Sequence, residues 1–373
     1  MTETAYNYDF SNLGYSGRVQ ADYERLVKEL DLGSDDGSSD SSDAKLILEP
    51  ARIVKVDRGF PLVAAQSGSY RTELSSSLAK IARKDALSRP AVGDWIILSR
   101  PKNHEFGIVE AFLPRYSSLK RRDPLERKSA GFAPAQQAVG QIVVSNIDLI
   151  FVVQALSSTS CSVNLARLER ELVLAFESGA KPVVILTKAD LCPDPEASIR
   201  FVSQSSAGIP IILESAVTGL GVTEIRRLIE PGVTASLLGA SGVGKSTLIN
   251  RLLGHERQQT KAVRESDDRG RHVTVARELI ELPLKDDPEG EGSTGGGVII
   301  DTPGMRSLAL WQADEGISLA FPEIAEAAHS CRFADCAHNN EPKCGVKAAV
   351  KLGDIDEARY LRYLNLVKEL AEA

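Results

Sequence analysis

The stretch "LLGASGVGKSTLIN" (237–250) carries, from Gly239 to Ser246, the spacing G-x-x-x-x-G-K-[ST]. Glycines at such positions let backbone N–H groups turn inward around phosphate oxygens, and the N-terminus of a following helix adds partial positive charge. The apolar run "VTASLLG" before it reads as a strand and "TLINRLL" after it as a helix, which is the setting the loop requires. In that setting Lys245 reaches the β- and γ-phosphates and the Ser246 hydroxyl ligates Mg²⁺, while Gly239, Ala240, Ser241, Gly242, Val243, Gly244 and Thr247 complete the cradle. The bland alternative is an ordinary glycine-rich turn.

Three further elements argue against the turn. In "VIIDTPG" (298–304), Asp301 ends an apolar strand where its carboxylate can hold Mg²⁺ through water, and Gly304 can offer an N–H to the γ-phosphate. In "LTKAD" (186–190), Asp190 at the end of another apolar strand can accept from the N1–H and 2-amino groups of guanine, which adenine does not offer. Lys188 can lay its aliphatic stem along the base. The usual first residue of this guanine-reading element is Asn; Thr187 keeps a hydroxyl but loses the carboxamide, which alters the affinity for guanine. "ESA" (214–216) brings Ser215 and Ala216 to face the guanine oxygen, a feeble signal alone. The order is therefore base reading first (187–190, 215–216), phosphate gripping second (239–247) and switch elements last (274, 301–304). That is a Ras-like GTPase cut and rejoined as a circular permutation, which a domain tolerates when its original termini lie close together.

The first 30 residues contain no signal-peptide apolar region, so a reducing compartment is expected and the five cysteines read as thiols or metal ligands rather than a disulfide frame. "CRFADCAHNNEPKC" reads C-x4-C-x-H-x5-C and offers Cys331, Cys336, His338 and Cys344 as a closed tetrahedral zinc set with no open position for catalysis. Unligated thiols beside a surface histidine are the alternative.

The elements that must position these groups follow from the texture of the chain. With 373 residues, 43% hydrophobic and 25% charged, there is material for two or three domains, and a net charge of −7 argues against a surface that coats nucleic acid generally. No apolar run is long enough for a membrane span, so a cytoplasmic monomer binding neither membrane nor DNA is expected. Residues 1–45 read as a flexible tail with a short helix at 21–30 and a Ser/Asp/Gly-rich linker at 31–43. "LILEPARIVKVDRG", "FPLVAAQSGSYRTELS", "PAVGDWIIL" and "FGIVEAFLP" are short strands with no intervening helix, fitting a five-stranded OB-type barrel over 46–135. "PRYSSLKRRDPLERK" (114–128) sets six Lys/Arg against two acids and is either a grip for RNA backbone or a solvated linker. From 136 to 312 near-continuous apolar strands alternate with helices, as in a covered parallel sheet, with "GEGSTGGG" (290–297) as an unstructured loop. Residues 313–373 read as a helical, zinc-binding domain.

On "VDRG", "PAVGDW", the permuted GTPase motifs and the cysteine–histidine pattern, residues 46–373 resemble the RsgA (YjeQ/EngC) family of circularly permuted, small-ribosomal-subunit-dependent GTPases. The resemblance implies an OB-fold, a GTPase and a zinc-binding helical domain. It also implies a factor acting late in assembly of the small (30S) ribosomal subunit, contacting its rRNA, and using GTP/GDP, Mg²⁺ and one structural Zn²⁺. "GRHVTV" (270–275) is similar to the family's first switch, G-R-H-T-T-T, with Val273 departing from it. On that match Thr274 contacts Mg²⁺ and the γ-phosphate, and His272 orients or activates the attacking water. Met305, following "DTPG", cannot polarise water as a Gln would, so the resemblance gives that role to His272; a solvated loop histidine is the alternative. A nucleotide-gated RNA-binding switch with incidental hydrolysis is the rival function.

Overall fold

The computed structural model describes residues 8–32, 48–57, 60–100, 106–122, 140–157, 161–206, 208–255, 277–287, 292–301, 310 and 313–372. His272, Thr274, Gly304, most of the 31–43 linker and residues 123–128 of the basic stretch lie outside them.

The N-terminal segment departs from the tail expected there. Helix α1 (Gly17–Leu32) is longer than the helix anticipated at 21–30, and Leu13 ahead of it is fully buried. The reason is aromatic: the Phe10 and Tyr15 rings lie 5.8 and 5.4 Å from that of Trp95, edge-on, in contacts that bury large apolar surfaces.

Five strands form the barrel: β1 (Leu48–Asp57), β2 (Phe60–Ala65), β3 (Gly68–Leu74), β4 (Trp95–Ser99) and β5 (Gly107–Phe112). The hydrogen-bonding order is β1-β2-β3-β5-β4, and β4 returns to β1, so the sheet closes on itself. Alternation decides its faces: Ile96 and Leu98 of β4 point into the barrel with Ala51, Ile53 and Val63, whereas Trp95 and Ile97 point outward into the main core. Contrary to the all-strand reading, helix α2 (Ser76–Lys84) intervenes between β3 and β4; the Ser75 hydroxyl caps it by accepting from the Leu78 N–H. Its sequence does carry a helical apolar stripe, Leu78, Ile81 and Ala82, opposite Lys80, Arg83 and Lys84, although only Ala82 is buried.

An antiparallel pair, β6 (Ser118–Arg122) and β7 (Gly140–Ser145), leads into the α/β region. There β8 (Leu149–Ala155), α3 (Leu165–Glu177), β9 (Lys181–Thr187), α4 (Pro195–Ser203), β10 (Ile211–Leu213), α5 (Val222–Leu228), β11 (Thr234–Leu238) and α6 (Lys245–Leu253) alternate. After them come β12 (Glu278–Glu281), the short pair β13 (Lys285–Asp286) and β14 (Ser293–Thr294), and β15 (Val298–Asp301). The sheet order is β10-β9-β8-β11-β15-β12, parallel except for β12, which also pairs with β1 of the barrel at Glu278↔Lys55. The "STGGG" end of the glycine-rich stretch is structured rather than loose. Gly297 is held by Leu282 and Ile229, and a Cβ there would lie 2.3 Å from the Glu230 carbonyl oxygen, so only glycine fits.

Four helices end the chain: α7 (Asp314–Ala320), α8 (Pro322–Ala328), α9 (Gly345–Leu352) and α10 (Glu357–Ala371). Of these, α7 packs on α3, where Gly316 approaches so closely that a Cβ would sit 2.4 Å from the Val173 carbonyl oxygen. Among the described residues no helix is long and apolar enough to cross a membrane.

Candidate nucleotide site and metal centre

The phosphate loop lies at the carboxyl end of β11, between its parallel neighbours β8 and β15, where ligands of open α/β sheets bind. Gly239, Gly242 and Gly244 have φ of 153°, 81° and 101°, conformations that turn backbone N–H groups toward the loop interior and exclude ordinary side chains. A Cβ on Gly239 would lie 2.5 Å from the Val153 carbonyl oxygen. Gly244 immediately precedes α6, whose N-terminus carries Lys245, Ser246 and Thr247. The Lys245 ammonium donates to the Gly239 and Ala240 carbonyls at 2.6 and 2.8 Å, folded into the loop it is expected to serve. Burial pulls its pKa down, opposed by the carboxylates of Glu171 and Asp301. Asp301, 8% exposed at the end of β15, thus stands on the same side of the loop as the lysine.

The guanine-reading element is bolted to that loop. The Thr187 hydroxyl lies 2.6 Å from the Val243 carbonyl oxygen, a distance at which it donates, and the Lys188 ammonium donates to the Gly242 carbonyl at 3.0 Å. Lys188 is left-handed (φ 59°), which turns the chain sharply off β9 and leaves Asp190 exposed in a 3-10 turn, Ala189–Leu191. Asp190 accepts from the Ser215 hydroxyl at 2.6 Å, and the Ala189 N–H donates to the Glu214 carbonyl, so 187–190 and 214–216 form one unit. Thr187 therefore joins the two elements through its hydroxyl alone.

Reading the sequence residue by residue missed three side chains here. Gln154, the one amide in the otherwise apolar β8, donates to Glu171 of α3 at 2.5 Å. Burial raises Glu171 to about 7, opposed by Arg167, Lys245 and Arg170. Burial, reinforced by the Asp190 carboxylate and opposed by Arg251, likewise raises Glu214 to about 7. A polar residue inside an apolar strand was the available signal for Gln154; the glutamates gave none. The cysteine expectation also needs correction. Cys161 and Cys192 form a disulfide, because the loops leaving the adjacent parallel strands β8 and β9 bring them together at a Cα separation of 5.3 Å. Arg115, counted with the basic stretch, is engaged internally, paired with the buried Asp94 at 2.6 and 2.7 Å.

The C-x4-C-x-H-x5-C residues converge in the helical region, their ligand atoms all within 4.8 Å of one another. Cys331 and Cys344 sulfurs are 3.8 Å apart and lie 3.5 and 3.6 Å from His338 Nδ1. A zinc tetrahedron with Zn–S of about 2.3 Å and Zn–N of about 2.0 Å has S···S edges of about 3.8 Å and S···N edges of about 3.5 Å. The donor set suits zinc, and Cys331, Cys344 and His338 stand at those edge lengths, with Cys336 within 4.8 Å of them. The Gly345 N–H donates to the Cys331 sulfur at 3.3 Å, and Tyr360 O–H holds the His338 carbonyl at 2.5 Å, orienting the ligands from outside.

Residues 119–311 match the RsgA GTPase family. The small ribosomal subunit biogenesis GTPase RsgA of Syntrophotalea carbinolica is 38% identical over 328 residues, covering 87% of this chain and 84% of its own. The chain belongs to the RsgA GTPase family. Its counterpart of that name in Streptomyces coelicolor is 39% identical over 325 residues, 86% of this chain and 80% of that one. Among solved structures, YjeQ from Thermotoga maritima aligns with a TM-score of 0.62 at 25% identity, covering 88% of this chain and all of that one. YloQ, described as a circularly permuted GTPase, aligns at 0.58 and shares the fold at 24% identity, over 90% of this chain and 98% of its own. The barrel, permuted α/β sheet and helical cysteine–histidine region are thus the architecture of this family.

Proposed function

We propose that the chain hydrolyses GTP to GDP and phosphate as an assembly factor of the small ribosomal subunit, stimulated by that subunit and holding its rRNA. The observation that carries the reading is the coupling of two motifs far apart in sequence: Thr187 and Lys188 are hydrogen-bonded to the phosphate loop at Val243 and Gly242. The printed names of the relatives supply the ribosomal partner.

In this reading Asp190 takes the guanine N1–H and 2-amino group, while Ser215 fixes its carboxylate and Ala216 faces the base oxygen. Loop N–H groups from Gly239 to Thr247 take the phosphates, and Lys245 leaves its two carbonyl partners for the β- and γ-oxygens. When bound, Mg²⁺ would add positive charge against the phosphates, held by Ser246, Thr274 and, through water, Asp301. Gly304 would donate to the γ-phosphate and His272 would orient the attacking water. Preorganised donors of this kind stabilise the charge that develops during phosphoryl transfer. Cys331, Cys336, His338 and Cys344 would hold one zinc and keep the helices after 313 folded. The domains are assigned as 46–135 for RNA contact, 136–312 for GTP and 313–373 for zinc, in a cytoplasmic monomer.

GTP turnover with and without purified small subunits tests this. Subunits should raise the rate at least about tenfold, since completing a GTPase site in trans is worth about 10³–10⁵. His272→Ala should remove most of the rise with little loss of GTP binding. Turnover unaffected by subunits would reject the assembly role.

A further inference from the structure

Reading from the guanine pocket outward, we propose that Cys161 and Cys192 are a reversible two-electron thiol–disulfide site controlling how firmly the guanine-reading turn is held. The proposal rests on the nucleotide reading above. Cys192 directly follows the 3-10 turn Ala189–Leu191 that presents Asp190, and its N–H closes that turn by donating to the Ala189 carbonyl. Cys161 stands in the neighbouring loop beyond β8, left-handed at φ 47°, its carbonyl accepting from the Ser198 hydroxyl of α4 at 2.6 Å. The bond therefore staples the far end of the base-reading turn to a loop anchored on α4. The near end is already fixed by Thr187 on the phosphate loop. With both ends held, Asp190 has little freedom left to lose when a base binds; with the staple open, ordering the turn opposes binding.

Accessibility differs between the two sulfurs in the way exchange requires. Cys161 is partly exposed whereas Cys192 is 7% exposed, so a reductant meets Cys161 first. A thiolate of a protein dithiol bonds to the Cys161 sulfur, the Cys161–Cys192 bond breaks, and Cys192 leaves as a thiolate that takes up a proton. The second thiol of the reductant then displaces Cys161. The reductant ends as a disulfide, and this chain has gained two electrons and two protons. The other three cysteines form the cluster with His338 and take no part.

The test is GDP affinity of the full-length protein by calorimetry, oxidised and after tris(2-carboxyethyl)phosphine, with alkylation mass spectrometry assigning thiols and zinc content measured in both states. Reduction should free Cys161 and Cys192, leave zinc in place and weaken GDP about three- to tenfold. Cys161→Ser, at the more exposed position, should bind GDP at the reduced value whatever the redox state. Equal affinity in both wild-type states, or alkylation of Cys161 and Cys192 before reduction, would overturn the switch while leaving the nucleotide site standing. No GDP binding in either state would overturn the nucleotide reading itself, and the switch with it.

Discussion

The α/β region is joined to its neighbours by two seams, each built around one fully buried charge, and the two charges are satisfied in opposite ways. At the barrel seam the charge is Arg52 of β1. Its guanidinium donates to the carbonyls of Gly93, Leu13 and Asn146 and lies 2.8 Å from the Thr234 hydroxyl of β11, with the Trp95 ring 5.4 Å below. Its hydrogen-bond acceptors are all neutral. Burial pulls its pKa down, opposed by Tyr116, Asp148 and Asp94. At the other seam the charge is Glu169 of α3, fully buried and paired with Arg359 at 2.9 Å and with Arg362 at 2.6 Å, both from α10. Arg359 is itself paired with Glu323 and stacked 4.6 Å over Phe321. One seam is a cation spread over four neutral oxygens from four separate segments; the other is an ionic network among three helices, α3, α8 and α10. A guanidinium's forked donors suit both tasks, but the consequences of removing the central charge differ.

The largest effect is expected from Glu169→Ala. It would leave two arginines, 6% and 19% exposed, without their shared carboxylate, and stranding buried charge costs about 3–5 kcal/mol. Glu323 still serves Arg359, so the lower half of that range is expected. Amide hydrogen exchange in α10 should accelerate by about 10²–10³, with β1–β5 unchanged. A loss below about 1 kcal/mol would show that apolar contacts such as Phe321 against Tyr363, not the ions, hold this seam.

Arg52→Met is the matching cut at the barrel. Met keeps much of the length but none of the donors, so three carbonyls and a hydroxyl lose a partner. Each such group costs about 1–3 kcal/mol, offset by no longer burying a cation, for a net of about 2–4 kcal/mol. Exchange should rise in α1 and at the start of β11, and raising the salt from 0.05 to 1 M should change the cost little because the guanidinium and its partners are buried away from the ions. Arg52→Lys should not rescue it, since an ammonium cannot reach four separated oxygens.

What the sequence disclosed and withheld divides along the same line. The phosphate loop, the Asp190 turn and the cysteine–histidine set were legible because backbone geometry or metal chemistry demands particular residue types at fixed spacing. The barrel strands were legible as short β-like runs, and the permutation from motif order. Arg52 sits in "PARIVKV" with no local sign of its role, and its partner Thr234 is 182 positions away. Glu169 and Arg359 are 190 positions apart. Cys161 and Cys192 were read as thiols because pairing follows from adjacent parallel strands, which composition does not reveal. Seams and staples are chosen by tertiary contact, and no periodicity within one segment encodes them.

Glu171 is a second buried carboxylate on α3, and its hydrogen-bond donor is neutral. It lies two residues from Glu169 on α3, is 8% exposed, and has Gln154 rather than a cation as its hydrogen-bond donor. Burial pushes its folded-state pKa up to about 7 from the ordinary carboxyl value of 4.5. The native state therefore holds a proton that the unfolded chain gives up, and the associated stability is intact below about pH 4.5 and lost as pH rises through 7. The difference amounts to about 3 kcal/mol. Glu171→Gln should be near neutral at pH 5 and should raise the thermal midpoint relative to wild type at pH 8.5. An equal shift at both pH values would mean the carboxyl titrates normally.

The smallest effect is expected one residue along the same helix. Arg170 pairs with Glu369 of α10 through contacts of 2.7 to 3.1 Å, a geometry as good as that of Glu169 with its arginines. The difference is solvent: its side chains are 27% and 40% exposed, against 0% for Glu169. In water the two charges attract weakly, holding two long side chains in register has an entropic cost, and salt screens what remains, so such pairs contribute about 0.2–1 kcal/mol. Arg170→Ala should therefore raise exchange in α10 no more than about fivefold, and that small rise should vanish at 1 M salt. Both arginine–glutamate sets join the same two helices, so comparing this variant with Glu169→Ala at one seam isolates burial as the variable. A loss from Arg170→Ala matching that from Glu169→Ala would mean contact geometry, not exclusion of water, sets the strength of this seam.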